Sequence, residues 1–66
     1  MHVVKVETNR KKVIQRLEQD AWVLTREAGK HDICTHDEIR FAIPVPRHRT
    51  LTPGTARSIA KRAGWT

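Results

Sequence analysis

The chain is poor in three things: cysteine, acidic side chains and uninterrupted apolar sequence. One cysteine, Cys34, stands alone among 66 residues. No intramolecular disulfide is therefore available, which excludes a disulfide-stapled scaffold, and a free thiol fits a reducing compartment. No apolar run approaches the roughly 20 residues that a membrane span requires. The opening Met1-His2-Val3-Val4-Lys5-Val6-Glu7 has neither a long apolar centre nor a small-residue cleavage site, so it does not have the pattern of a signal peptide. Together these absences predict a cytoplasmic protein with no membrane attachment. Acidic residues are outnumbered as well, with seven Asp and Glu against thirteen Lys and Arg and a formal charge of +6. A surplus of that size on a small body favours a polyanion, either nucleic acid or an acidic partner, although a solvated basic surface kept for solubility has the same composition. With 66 residues the expectation is one domain, residues 1–66. A chain of that length buries only about 60% of its unfolded surface, so its stability margin is thin and a partner would help it.

What is present reads as five elements. Residues 1 to 7 suit either a short extra strand or a lead-in. Residues 9–20 read as a helix, with Val13, Ile14, Leu17 and Ala21 on one apolar stripe. Thr8 or Asn9 suits its N-cap. Three short strands follow, over 22–26, 30–35 and 39–45, joined by turns at Glu27-Ala28-Gly29 and His36-Asp37-Glu38. Gly29 supplies the positive φ that such a corner needs. Turns this short imply an antiparallel meander. Ile39, Phe41, Ile43 and Val45 share one face of the third strand, and Pro44, which has no N–H to donate, means that this end of the strand is an edge or has already left the sheet. In the last helix Thr52 is the N-cap and Pro53 the first helical residue. Ala56, Ile59, Ala60 and Ala63 form the inner face, and Gly64 is a left-handed stop that lets Trp65 fold back. The resulting order, α-β-β-β-α, predicts an α+β fold with a three-stranded antiparallel sheet and two helices on one face. Trp22, Phe41, Trp65 and Cys34 are expected in the core.

The run Trp22-Val23-Leu24-Thr25-Arg26, the turn Gly29-Lys30-His31, the segment Ile43-Pro44-Val45-Pro46-Arg47-His48-Arg49, the stretch from Leu51 to Ile59 that opens Leu51-Thr52-Pro53-Gly54, and Ala63-Gly64 together resemble the HicA-type toxins of bacterial toxin–antitoxin pairs. The likeness spans roughly Arg10 to Trp65. It implies a fold like that of the double-stranded-RNA-binding domain. It also implies an mRNA-cleaving activity of a type II toxin–antitoxin system that needs no metal or other cofactor, and a HicB-type antitoxin that covers the active face in a hetero-oligomer. The family's catalytic histidine lies in a Gly-Ser-His turn, a place that His31 takes here. Lys30 stands where that family has serine. Asp32 stands where a further hydrogen-bonding residue is usual, adding negative charge near a phosphate site that Lys30 offsets. Ala21 stands where a glycine precedes the aromatic of the first strand.

Metal-free RNA cleavage uses the adjacent 2′-hydroxyl as nucleophile, with a base for its proton, an acid for the leaving 5′-oxygen and positive charge beside the phosphorane. An imidazole can serve as acid or base near neutral pH, and fixed cations stabilise the developing charge. His31 is assigned the first role, with Lys30 and Arg26 the nearest cations along the chain. Arg47, His48 and Arg49 in the Pro-rich loop, with Arg57 and Lys61 on the last helix, are the expected RNA contacts. His48 is also a possible second acid–base group. A metal site is disfavoured, because His31 and Cys34 fall on opposite sides of a strand. Two other functions compete: a non-catalytic RNA-binding module of the same fold, and a DNA reader using the last helix. The DNA reader is weakened by the strand and loop, rather than a partner helix, that precede that helix.

Overall fold

The computed structural model describes residues 6–66. Its elements run α1 (Arg10–Gln19), β1 (Val23–Ala28), β2 (His31–His36), β3 (Ile39–Pro46) and α2 (Pro53–Arg62). The strands form one antiparallel sheet in the order β1-β2-β3. Val13 and Leu17 of α1 and Ala56 and Ile59 of α2 close over Cys34, Ile43 and Val45, so both helices share one face of the sheet, as the α-β-β-β-α reading expects. The choice between strand and lead-in for residues 1 to 7 falls, through residue 5, outside the described residues. Beyond that point Val6 packs against the core without joining a strand.

α1 starts where Asn9 caps it, its side chain accepting from the Lys12 backbone N–H at 3.2 Å. Its buried stripe is Val13 and Leu17. Ala21 does not belong to that stripe, contrary to the periodicity. The helix ends at Gln19, and Ala21 is exposed with a φ of 70°. The reason is the way the chain reverses. Trp22 N–H donates to the Leu17 carbonyl at 2.9 Å and Ala21 N–H to that of Glu18 at 3.1 Å, the paired bonds of a Schellman turn. That turn drops Trp22 into the core, 2% exposed, immediately before β1.

β1 runs through Ala28, so the first hairpin turn is only Gly29-Lys30, two residues later than the sequence suggests. Gly29 has φ +61° and Lys30 stays outside the left-handed region, the pattern of a turn with glycine at its first central position. On β2 and β3 burial alternates, with Asp32, Cys34, Ile43 and Val45 turned to the helices. Phe41 has the same parity yet is 46% exposed, which corrects its assignment to the core. Phe41 lies in the irregular stretch of β3 where the pairing shifts between Cys34–Ile43 and His36–Ile39, so simple alternation does not carry through it, and it sits tilted beside Trp22 with ring centroids 6.1 Å apart. Pro44 sits on the outer strand, as its missing N–H requires.

α2 is capped by Thr52, whose Oγ1 accepts from Thr55 N–H at 3.2 Å, with Pro53 first in the helix. Ala56, Ile59 and Ala60 are buried. Gly64, φ +81°, ends it, with Trp65 N–H on the Ala60 carbonyl at 2.8 Å and Gly64 N–H on that of Lys61 at 3.2 Å. Trp65 folds back as expected but is half-buried over the core rather than inside it. Its indole N–H donates to Asp20 at 2.6 Å, and the Arg16 guanidinium lies 4.3 Å from its ring centroid. One side chain thereby fastens the end of α2 to α1.

Candidate functional site

The glycine corner fixes where His31 points. His31 is the first residue of β2, set between Ala28 of β1 and Pro46 of β3. Successive strand residues face opposite ways. Asp32 and Cys34 point to the helices, so His31 and the half-buried Ile33 point to the open face. His31 is exposed. Arg26 lies opposite Ile33 and so shares that face, diagonal to His31. Lys30 is exposed in the turn, and its carbonyl accepts from Arg47 N–H at 3.2 Å. The structure thus puts Arg26 and His31 on the open sheet face, with Lys30 exposed in the turn next to His31.

His31 also lines a shallow groove over the β3 edge, with Pro44, Pro46, Thr55, Ser58 and Arg62. Its volume of about 190 Å³ is below the ~300–1,000 Å³ usual for an enclosing ligand pocket. It suits a strand laid across it. Arg62 reaches the Ala42 carbonyl through Nη1 at 3.3 Å, which sets this cation beside the groove. Thr55, Ser58 and Arg62 were not among the expected site residues. Their spacing of three and then four is the signal that marks a common helix face. Arg57 and Lys61, which were expected to contact RNA, are exposed on α2 but do not line the groove that holds His31.

Behind the corner lies an ionic knot. Asp32 is 8% exposed and takes hydrogen bonds from Nη2 of Arg10 and from Nε of Arg47, the latter at 2.9 Å. Arg10 Nε donates to the Pro46 carbonyl at 2.8 Å, and Arg47 Nη2 pairs with Glu27 at 3.0 Å. The expectation that Asp32 burdens the phosphate site, with Lys30 to offset it, is therefore corrected. Its carboxylate faces away from His31 and is neutralised by two arginines. Arg47 is the converse case, an expected RNA contact already engaged by two carboxylates. Its hydrogen bonds to Asp32 and then Glu27 hold its pKa above the ordinary arginine value. Arg10, absent from the expected site, could not be inferred from local pattern, because its partner is 22 residues away.

Arg47 and Arg49 line a second groove with Asn9, Arg10 and Lys11. His48, between them, is exposed and lines neither groove. Cys34 lies buried on the opposite side of β2 from His31, its thiol pushed above the usual value by burial first and by the Asp32 charge second. His36, at the far end of β2, accepts from Glu38 N–H through Nδ1 at 3.0 Å and packs edge-on to Trp22 at 5.2 Å. No helix among the described residues is long and apolar enough to cross a membrane.

No curated protein matches the chain. A family model described as the HicA toxin of bacterial toxin–antitoxin pairs matches residues 10–65, which takes in every element from the start of α1 to Trp65. The chain belongs to the HicA family of bacterial toxins, proteins that pair with an antitoxin.

Proposed function

We propose that the protein is an endoribonuclease that cleaves mRNA without a metal, using His31 as acid or base in attack of a 2′-hydroxyl on its own phosphate. The observation that carries this reading is the placement of His31, exposed at the start of β2 directly after a two-residue turn, with Arg26 on the same sheet face and Lys30 in the turn beside it. Pairing on both sides fixes the backbone of His31, which sets the face from which its imidazole projects. Lys30 and Arg26 supply charge at the developing phosphorane. Arg47, His48, Arg49, Arg57 and Lys61 contact the RNA backbone, and a HicB-type antitoxin covers the open face.

A second reading has support of its own, that of an RNA-binding module without catalysis. Transesterification needs an acid as well as a base. Apart from His31, the residues lining its groove include no histidine or carboxylate, and His48 is not among them. One assay separates the two. Purified protein is incubated with RNA in chelator, and the products are checked for 2′,3′-cyclic phosphate ends. Cleavage that is lost in a folded His31→Ala variant supports the nuclease. Binding without cleavage supports the module, and full cleavage by His31→Ala sinks the assignment of His31.

A further inference from the structure

The groove lined by Asn9, Arg10, Lys11, Arg47 and Arg49 has a charge arrangement that the fold alone does not explain. Its four cations meet two carboxylates, Asp32 and Glu27, and both carboxylates are engaged by Arg10 and Arg47. Lys11 and Arg49 make no ion pair among the described residues, and both are exposed. Lys11 moreover sits in the first turn of a helix that has no acidic residue there. A cation at that end opposes the helix dipole, so the fold gains nothing from it there. Arg10 and Arg47 are oriented by a buried carboxylate, and each has Nη1 free of hydrogen bonds among the described residues. An arginine held this way offers donors in a fixed fork, the geometry that suits phosphate oxygens. The groove opens around the end of the sheet that carries the His31 turn, since Arg47 N–H is bonded to the Lys30 carbonyl.

We propose that this groove is a phosphodiester-binding site that takes the RNA backbone beyond the nucleotide at His31, with Lys11 and Arg49 as the free contacts and Arg10 and Arg47 held ready by Asp32. The proposal rests on RNA being the substrate, but not on its being cut. Asp32 is on this account a positioning residue.

The test uses His31→Ala protein, so that RNA stays intact, and a labelled single-stranded RNA oligonucleotide followed by anisotropy across a salt titration. Lys11→Ala and Arg49→Ala are each expected to lower the slope of log K against log salt by about 0.7, the value per phosphate for a single strand, and to weaken binding severalfold near 100 mM salt. Lys12→Ala is the comparison. It removes the same charge one residue along α1 from a side chain that does not line the groove, and it should leave the slope unchanged. Melting temperatures should not fall in any of the three. Equal losses in Lys12→Ala, unchanged slopes in Lys11→Ala and Arg49→Ala, or preference for duplex DNA would each overturn the site. Should the His31→Ala protein bind no RNA even at low salt, the substrate reading falls and the groove with it. If the groove variants behave as expected while wild-type protein leaves RNA intact, cleavage is what fails and the groove stands.

Discussion

Ala21 carries a backbone conformation that its side chain resists. Its φ of 70° places an L-residue in the left-handed region, at a cost of roughly 1–2 kcal/mol. The Schellman turn that ends α1 demands that conformation, because both closing bonds, from Ala21 and Trp22, depend on it. Ala21→Gly removes the clash but adds freedom to the unfolded chain, so a net gain of about 0.5–1 kcal/mol is expected. Urea midpoints of the two proteins measure it, and a loss of stability would show that the alanine is not strained. Cys34 gives a second prediction. Burial raises its thiol pKa in the folded state, so the native protein holds its proton where the unfolded chain has released it. Stability from this group is complete below the unfolded thiol pKa and falls as pH climbs through the folded value. The chain has no tyrosine, which leaves fewer alkaline titrations to mask the effect. Stability should decline as pH rises past the ordinary thiol range, about 8.5, in wild type and less steeply in Cys34→Ala, although that variant is weaker at neutral pH. Parallel slopes would refute the linkage.

Among the elements, what was legible in the sequence is what local chemistry controls. Asn9 and Thr52 cap helices through side-chain bonds to residues three positions on, and Gly29 and Gly64 take the positive φ their turns need. Each of these devices is complete within a few residues, so the sequence displays it whole. Phe41 departs from the core because parity assigns a face only while the pairing is regular, and the register shifts between Ile43 and Ile39. The knot at Asp32 was invisible for a different reason. Its members come from the start of α1, the two strands of the first hairpin and the loop after β3, and only the tertiary fold brings them together. His31 near the mouth of the second strand is legible from Gly29, although the turn is shorter and falls later than the sequence suggests. The groove with Thr55, Ser58 and Arg62 depends on how α2 lies against β3 and is not legible. The knot makes its own prediction. Asp32→Ala leaves Arg10 and Arg47 facing each other without a carboxylate between them. Fully buried pairs broken this way lose about 3–5 kcal/mol, and partial exposure of both arginines reduces that to an expected ~2 kcal/mol. Chemical denaturation would measure the loss, and an effect within error would mean that water replaces the carboxylate freely.

For the whole molecule, charge and size pull against each other. A surplus of six positive charges on 66 residues repels itself in the compact state, and a chain this short has little core with which to oppose it. The same surplus suits a toxin that pairs with another protein, because a ligand that binds only the folded state stabilises it by mass action, about 2.7 kcal/mol at a hundredfold excess over its Kd. Salt separates the two electrostatic contributions. Exposed like charges are screened within a Debye length of about 8 Å at physiological ionic strength, whereas the pairs made by the buried Asp32 carboxylate are screened less. Raising sodium chloride from about 50 mM to about 500 mM should therefore relieve the repulsion and leave the knot largely intact. A relief of about 0.5–1 kcal/mol corresponds to a rise in Tm of roughly 2–8 °C for a domain of this size. The same titration should weaken any RNA complex, since those contacts are made by exposed cations. Opposite responses of folding and binding to one variable are the expected outcome, read by circular dichroism and by anisotropy on the same samples. A Tm that falls with salt would mean that attractive pairs, and not the unpaired basic surface, dominate the electrostatics of the fold.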